Sequence, residues 1–311
     1  MVEYFKKHSA HESFHKLERP TDDAWIHVGA PTDEELHALV EAYDLDKDIV
    51  RDVLDKNELA RSEFSDGTQY VFLRPANRTR SGEVRTRPML AILHPDVFIT
   101  IATSVAVTPR DIALVGDRAK VTTGRRPRML LATINTIVGG YEQLIQNTDE
   151  YIMTIRKKLR SHEVSNKDFV HFVTIEGNLN EYQTCLRDTL VVMERLGGNS
   201  HKLFNEREVE EIEDMILYIR QLQSAVSSLL QTINSIRNAY STIANNTLNQ
   251  RMKLLTALTV LIALPNVFYG MYGMNIPLPF QEQGWAYPII VIFTIVVILL
   301  VYTVARRFKV F

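Results

Sequence analysis

Two uncharged apolar runs near the C-terminus restrict what this chain can fold into more than any other feature. Leu254 to Tyr272 is a stretch of 19 residues without a charge; as a helix it would be about 28 Å long, matching a bilayer core. Tyr287 to Ala305 is a second such run. The 14 residues between them, Gly273 to Ala286, contain no Lys or Arg, whereas Arg251 and Lys253 precede the first span and Arg306, Arg307 and Lys309 follow the second. The positive-inside rule therefore places both termini in the cytosol and the tip of the hairpin outside the cell membrane.

The rest of the chain is a different kind of sequence. At 311 residues, 46% of them hydrophobic, it is long enough for a soluble core of its own, and a formal net charge of -2 argues against a nucleic-acid partner. The single cysteine, Cys185, excludes an intramolecular disulfide and a thiolate metal cluster, which suits a reducing cytosolic setting. Met1 to Ser13 is charged and has no apolar centre, so no cleavable signal is expected. There is no phosphate-binding glycine loop, no Cys-x-x-Cys and no nucleophile elbow. Neither a pump ATPase nor a hydrolase is indicated, and no cofactor or enzymatic activity is expected.

Residues 1–127 read as a mixed α/β domain. Trp25 to Val28 suggests a strand, and Thr32-Asp33-Glu34-Glu35 is a capping box opening a helix through Tyr43. Arg61 to Phe64 and Gln69 to Leu73 suggest a hairpin about Asp66-Gly67, and Met89 to Leu93 and Val97 to Ala102 a second about His94-Pro95-Asp96. Strand signals stop at residue 128. Residues 128–205 read as an antiparallel helical hairpin, with helices from Arg128 to about Arg160 and from Lys167 to Arg195, and breaks at Ser161 to Asn166 and Gly197-Gly198. Between Asn205 and Pro265 there is neither Gly nor Pro, so residues 206–272 read as a stalk helix running on into the first span. Residues 273–286 are then an extracytoplasmic loop, and 287–311 the second span with a basic tail.

Apolar residues along the stalk, from Val209, Ile212, Ile216, Ile219 and Leu222 through Val226, Leu229, Ile233 and Ile236 to Tyr240 and Ile243, recur every three or four positions as a heptad-like seam. Such a seam suits packing on the helix's own domain, and its length suggests packing against copies of itself as well. A second stripe is small or polar: Asn249, Met252, Leu255, Thr259, Ala263, Asn266, Gly270 and Gly273 share one face of the helix that enters the first span. An amide inside a span needs a partner or water, so Asn266 points either to helix–helix contact or to an aqueous path.

Two spans cannot enclose a polar path alone, so a conducting form needs several copies around an axis. Each first span would then end at Gly273-Met274-Asn275, bringing helix C-termini with roughly half a negative charge each to the mouth. Magnesium gives up its water reluctantly, and neutral carbonyl and amide oxygens suit a hydrated divalent cation held through its waters. Softer metals favour Cys or His, which the mouth lacks.

Tyr272-Gly273-Met274-Asn275 at the end of the first of two C-terminal spans resembles the signature of CorA-type magnesium transporters, and Asn249 and Met252 stand where that family has its inner pore-lining Asn and Met. The order of parts is similar over essentially the whole chain. The resemblance implies an α+β membrane protein: a cytosolic α/β domain, a helical hairpin, a long stalk helix continuous with the pore helix, and a second transmembrane helix, assembled as a homopentameric funnel. It implies an outer filter at Gly273, Met274 and Asn275, and Arg306, Arg307 and Lys309 ringing the inner mouth. The substrate would be magnesium, with cobalt or nickel as further cargo, driven by the membrane potential. Magnesium would also bind between cytosolic domains and hold the channel closed, Asp214 falling near the stalk acid of that sensor within Glu206, Glu208, Glu210, Glu211, Glu213 and Asp214. The same acids suit a solvated helix N-terminus.

The family often has Thr where this chain has Asn266, and a more acidic loop than Ile276 to Ala286, whose one acid is Glu282. A zinc-transporting branch shares the architecture. A different class, a membrane-anchored signalling or scaffold protein, would explain the seam but not the polar face. His8, His11 and His15 have the spacing of metal ligands on one helical face, in a segment expected to be terminal and mobile.

Overall fold

The structure, a computed structural model, describes residues 1–104, 106–160, 166–274 and 282–307, and the side chains of all these except 159, 160, 166–170, 268, 272, 305 and 306. It divides into two units, Met1–Ile236 and Arg237–Phe311.

The first unit is built on a seven-stranded sheet. Its strands are β1 (Val2–Lys6), β2 (His15–Leu17), β3 (Trp25–Gly29), β4 (Arg61–Ser65), β5 (Thr68–Leu73), β8 (Met89–Leu93) and β9 (Phe98–Ala102), in the order β2-β1-β3-β9-β8-β5-β4. Only β3 and β9 pair in parallel. A separate two-stranded ribbon joins β6 (Ala76–Arg78) to β7 (Val84–Thr86). The β4–β5 hairpin turns at Asp66 and Gly67 with φ of 47° and 79°. Positive φ at both central residues matches the right-handed twist of the strands, which is why Asp-Gly marks this turn in the sequence.

Both faces of the sheet are covered. Ile99 and Ile101 face one way, with Leu36 and Leu39 of α1 (Asp33–Tyr43) and Val50 of α2 (Lys47–Asp52). Phe98 and Ala102 face the other, into a core shared with α3 (Pro109–Arg118), α4 (Arg126–Arg160), α5 (Asn166–Gly197) and α6 (Glu206–Tyr272). A sheet buried on both faces favours apolar residues without alternation: β8 is wholly apolar, and β5 and β9 are buried at every position and apolar except at Thr68, Gln69 and Thr100. The capping box at Thr32 forms, its hydroxyl accepting from the Glu35 amide at 3.2 Å while the Glu35 carboxylate accepts from the Thr32 amide at 3.1 Å.

The N-terminus departs from expectation. β1 lies inside the sheet, between β2 and β3, because Tyr4 and Val2 pack on one core and Phe5 on the other, its ring 4.9 Å from that of Trp25. His15 opens β2 opposite Lys6, and His8 and His11 lie in the connection between the two strands. The three histidines therefore share no helical face. Among the described residues no three His, Cys, Asp or Glu side chains are placed to hold a metal ion.

α4 and α5 are antiparallel, with Tyr141 facing Tyr182 at 6.0 Å and Tyr151 facing His171 at 6.2 Å. The expected break at Ser161 to Asn166 falls largely outside the described residues. The stalk seam has its partner within the chain: Ile212, Ile219, Leu222, Val226, Leu229, Ile233 and Ile236 are buried in the core of their own unit. Tyr240 and Ile243, beyond the unit boundary, are half-buried. Periodicity shows that a face is buried but not by which element.

One buried group makes stability pH-dependent. The Trp25 indole donates to the Thr100 hydroxyl at 2.9 Å, and that hydroxyl lies 2.9 Å from Nδ1 of His27, which is 5% exposed. Burial lowers the pKa of His27 from 6.5 to about 4. The unfolded chain thus binds more protons between these values, so stability is full above pH 6.5 and falls as the pH drops towards 4. We expect a loss of about 2 kcal/mol between pH 7 and pH 5. Urea unfolding of the full chain in detergent measures it. A His27→Gln variant should show a flatter pH profile, and an unchanged slope would locate the effect elsewhere.

Candidate ion pathway

The second unit holds the rest of α6 and α7 (Ala286–Arg307), and both helices are long and apolar enough to cross a membrane. α6 continues through Pro265, which has no N–H to give to the Leu261 carbonyl. The hydroxyls of Thr256 and Thr259 each donate to the carbonyl four residues back, Met252 and Leu255, at 2.9 Å. That bond satisfies the hydroxyl proton inside the helix and leaves the oxygen of Thr259 free to accept.

All eight members of the small or polar stripe are exposed in the single chain: Asn249, Met252, Leu255, Thr259, Ala263, Asn266, Gly270 and Gly273. Neither the Asn249 nor the Asn266 side chain has a hydrogen-bond partner among the described residues. A methyl group built on Gly270 would meet nothing within 4 Å. The helix ends at Tyr272, just before Gly273 and Met274. The Gly273 N–H points at the Tyr269 and Gly270 carbonyls (3.0 and 3.3 Å) and the Met274 N–H at that of Met271 (3.3 Å). Asn275 and Lys309 lie outside the described residues, as does the side chain of Arg306; Arg307 is exposed.

The acidic cluster at the start of α6 divides in two. Asn205 caps the helix: its carboxamide accepts from the Glu208 amide at 2.9 Å, and the Glu208 carboxylate accepts from the Asn205 amide at 3.0 Å. Glu208 is 3% exposed and also holds Arg125 at 3.0 Å, while Glu211 pairs with Arg128 at 3.1 Å. These two acids are structural, fastening the start of α6 to Arg125, just before α4, and to Arg128 in its first turn. Glu206, Glu210, Glu213 and Asp214 are exposed. Asp214 sits at the edge of a pocket of about 240 Å³ whose rim includes Arg128 and Asn135, and among the described residues it has no hydrogen bond or ion pair. The Asn205-x-x-Glu208 spacing carried the capping signal, but nothing local to it indicated Arg125.

The profile of the CorA-like Mg2+ transporter protein family matches residues 22–307. The chain belongs to that family. Within the CorA family it is similar to the cobalt/magnesium transport protein CorA of Methanocaldococcus jannaschii, 23% identical over 91% of this chain and 90% of the relative. It also resembles the cobalt/magnesium transport protein CorA of Thermotoga maritima, at 20% identity over 89% of this chain and 81% of that one. The complete structure of the M. jannaschii CorA magnesium transporter superposes with a TM-score of 0.83 at 19% identity, covering 99% of this chain and 98% of the other. The likeness of fold therefore extends from the α/β domain through both candidate spans. A scaffold that is merely anchored in the membrane is set aside by this membership.

Proposed function

We propose that the chain assembles as a homopentamer in the cell membrane and passes hydrated Mg2+ into the cytosol, with Co2+ as a second cargo. In this reading residues 1–127 and 128–205 are cytosolic, 206–272 form stalk and pore helix, 273–286 the outer filter loop, and 287–311 the second span and tail. The observation that carries it is the Asn266 amide, exposed within an apolar span and without a side-chain hydrogen-bond partner among the described residues. An unsatisfied amide facing lipid costs several kcal/mol, so this face belongs against water or a neighbouring copy. Arranged around an axis, the stripes form a path with an oxygen-lined mouth at Gly273, Met274 and Asn275 and a cationic ring of Arg306, Arg307 and Lys309 at the inner end.

No nucleotide-binding loop supplies energy, so the potential does. A divalent cation moving inward gains about 4.6 kcal/mol per 100 mV, twice the ~2.3 kcal/mol per unit charge.

Two substitutions test the stripe. Asn266→Leu is expected to dry the path and cut magnesium flux into dye-loaded liposomes by more than about tenfold, since an apolar constriction gates by dewetting. Unchanged flux would assign Asn266 to helix contact. A Cβ at Gly270 meets nothing within 4 Å among the described residues, so Gly270→Leu reports chiefly on contact with neighbouring copies. We expect it to lower both flux and the pentamer population seen by native mass measurement. A fully functional variant would place Gly270 away from the axis.

A further inference from the structure

The helical hairpin fixes the end of the first unit by which the stalk leaves. α5 is antiparallel to α4, and it is antiparallel to α6 as well: Glu194 holds Arg220 at 2.7 Å, and the earlier Gln183 bonds the later Ser227 at 3.3 Å. α6 therefore runs in the same direction as α4. Counted from the Gln183–Ser227 bond, Ile236 stands level with Thr174 of α5, while Tyr151 of α4 faces His171. Three residues from Thr174 to His171 and nine from Tyr151 to Arg160 carry the end of α4 about 18 Å past Ile236, towards the exit of α6. That tip is cationic. Arg156, Lys157, Lys158 and Arg160 lie in a stretch, residues 151–162, with no Asp or Glu. Arg156 and Lys157 are exposed and have no ion-pair partner among the described residues. Beside them Tyr151 and Met153 are exposed as well.

We propose that the end of α4 docks on the anionic phospholipid surface of the inner leaflet. From Ile236 to Leu254, where the uncharged run begins, α6 is a helical tether of 18 residues, about 27 Å long. The tip takes up about 18 Å of that reach, and the remainder is comparable to the ~8 Å Debye length at physiological salt. A neighbouring copy does not supply the counter-charge: the sequence has no Asp or Glu between Asp214 and Glu282, so the later half of its stalk brings no carboxylate. Free phosphate would engage the cations alone. A lipid surface also takes up Tyr151 and Met153, an aromatic and an apolar side chain suited to the headgroup boundary. The inference rests on the proposed spans and their orientation, not on ion transport.

The test places the full-length Met153→Cys variant, labelled with a fluorescent dye, in bilayer discs of phosphatidylcholine with or without a minority of phosphatidylglycerol. A trace of spin-labelled lipid serves as quencher. Cys185 is 3% exposed and is protected from the dye. Quenching should rise when phosphatidylglycerol is present and fall back at high salt. Arg156→Gln and Lys157→Gln, which keep helix propensity, should each lower the docked-to-free ratio about fivefold, the worth of ~1 kcal/mol per cation at a lipid surface. Arg207→Gln, at the other end of the unit, should leave it unchanged. Quenching that ignores phosphatidylglycerol, or equal losses in Lys157→Gln and Arg207→Gln, would overturn the proposal. So would release of the tip by inorganic phosphate at constant ionic strength. A chain that did not span the bilayer would be recovered with discs of neither composition, so failure of the spans is read separately. Flux is not the readout, and failure of docking leaves the transport reading untouched.

Discussion

Asn275→Ala is expected to reduce magnesium uptake by about a hundredfold or more while leaving assembly intact. The proposed filter is expected to meet the ion with oxygen. The N–H groups of Gly273 and Met274 are turned back onto carbonyls of the last helical turn, so the donors are consumed within the helix. In the proposed filter the backbone carbonyls of Gly273 and Met274 would supply acceptor oxygen, and the Asn275 amide oxygen would accept from the waters of a hydrated ion. A hydrogen bond to a charged group is worth about 1.5–3 kcal/mol, and its loss is repeated in every copy around the ring. Uptake by the variant, with its oligomeric mass measured in parallel, decides the matter. Normal flux through a correctly assembled Asn275→Ala protein would remove the tripeptide from the filter.

The second large effect is regulatory. With Glu208 and Glu211 held by Arg125 and Arg128, the acids open to a neighbouring copy are Glu206, Glu210, Glu213 and Asp214. If a closed assembly brings such carboxylates together, they repel unless a divalent cation sits among them. Internal magnesium would then favour closure, giving negative feedback on uptake. Asp214→Lys supplies a fixed positive charge and should make closure less dependent on magnesium. Asp214→Ala should weaken inhibition. Currents from excised patches with internal magnesium varied distinguish these outcomes, and wild-type inhibition curves in both variants would reduce Asp214 to a solvated helix residue.

What the sequence made legible was local. The Asp66-Gly67 turn, the Thr32 capping box and the uncharged spans each carry their signal within a few residues, and each appears where its code lies. The parallel pairing of β3 with β9 does not: Trp25 meets Phe98 across the intervening chain, and no local pattern encodes that partner. β1 was hidden for a related reason, since Val2 to Lys6 becomes a strand through Trp25 and the sheet around it rather than through its own alternation. The stalk seam announced a buried face, but only tertiary packing shows that Ile212 to Ile236 turn inward to their own unit. Six acids at the head of α6 look alike in sequence, and Glu208 differs from Asp214 because Arg125 reaches one and not the other.

The central claim is that magnesium crosses the membrane along the α6 stripe under the membrane potential. It is tested most directly by magnesium uptake into liposomes containing only this protein, with the potential set by a potassium gradient and the pH equal on both sides. Uptake should rise with an inside-negative potential, need no proton gradient and fall when cobalt competes. A correctly inserted oligomer that passes no magnesium under these conditions would contradict the account.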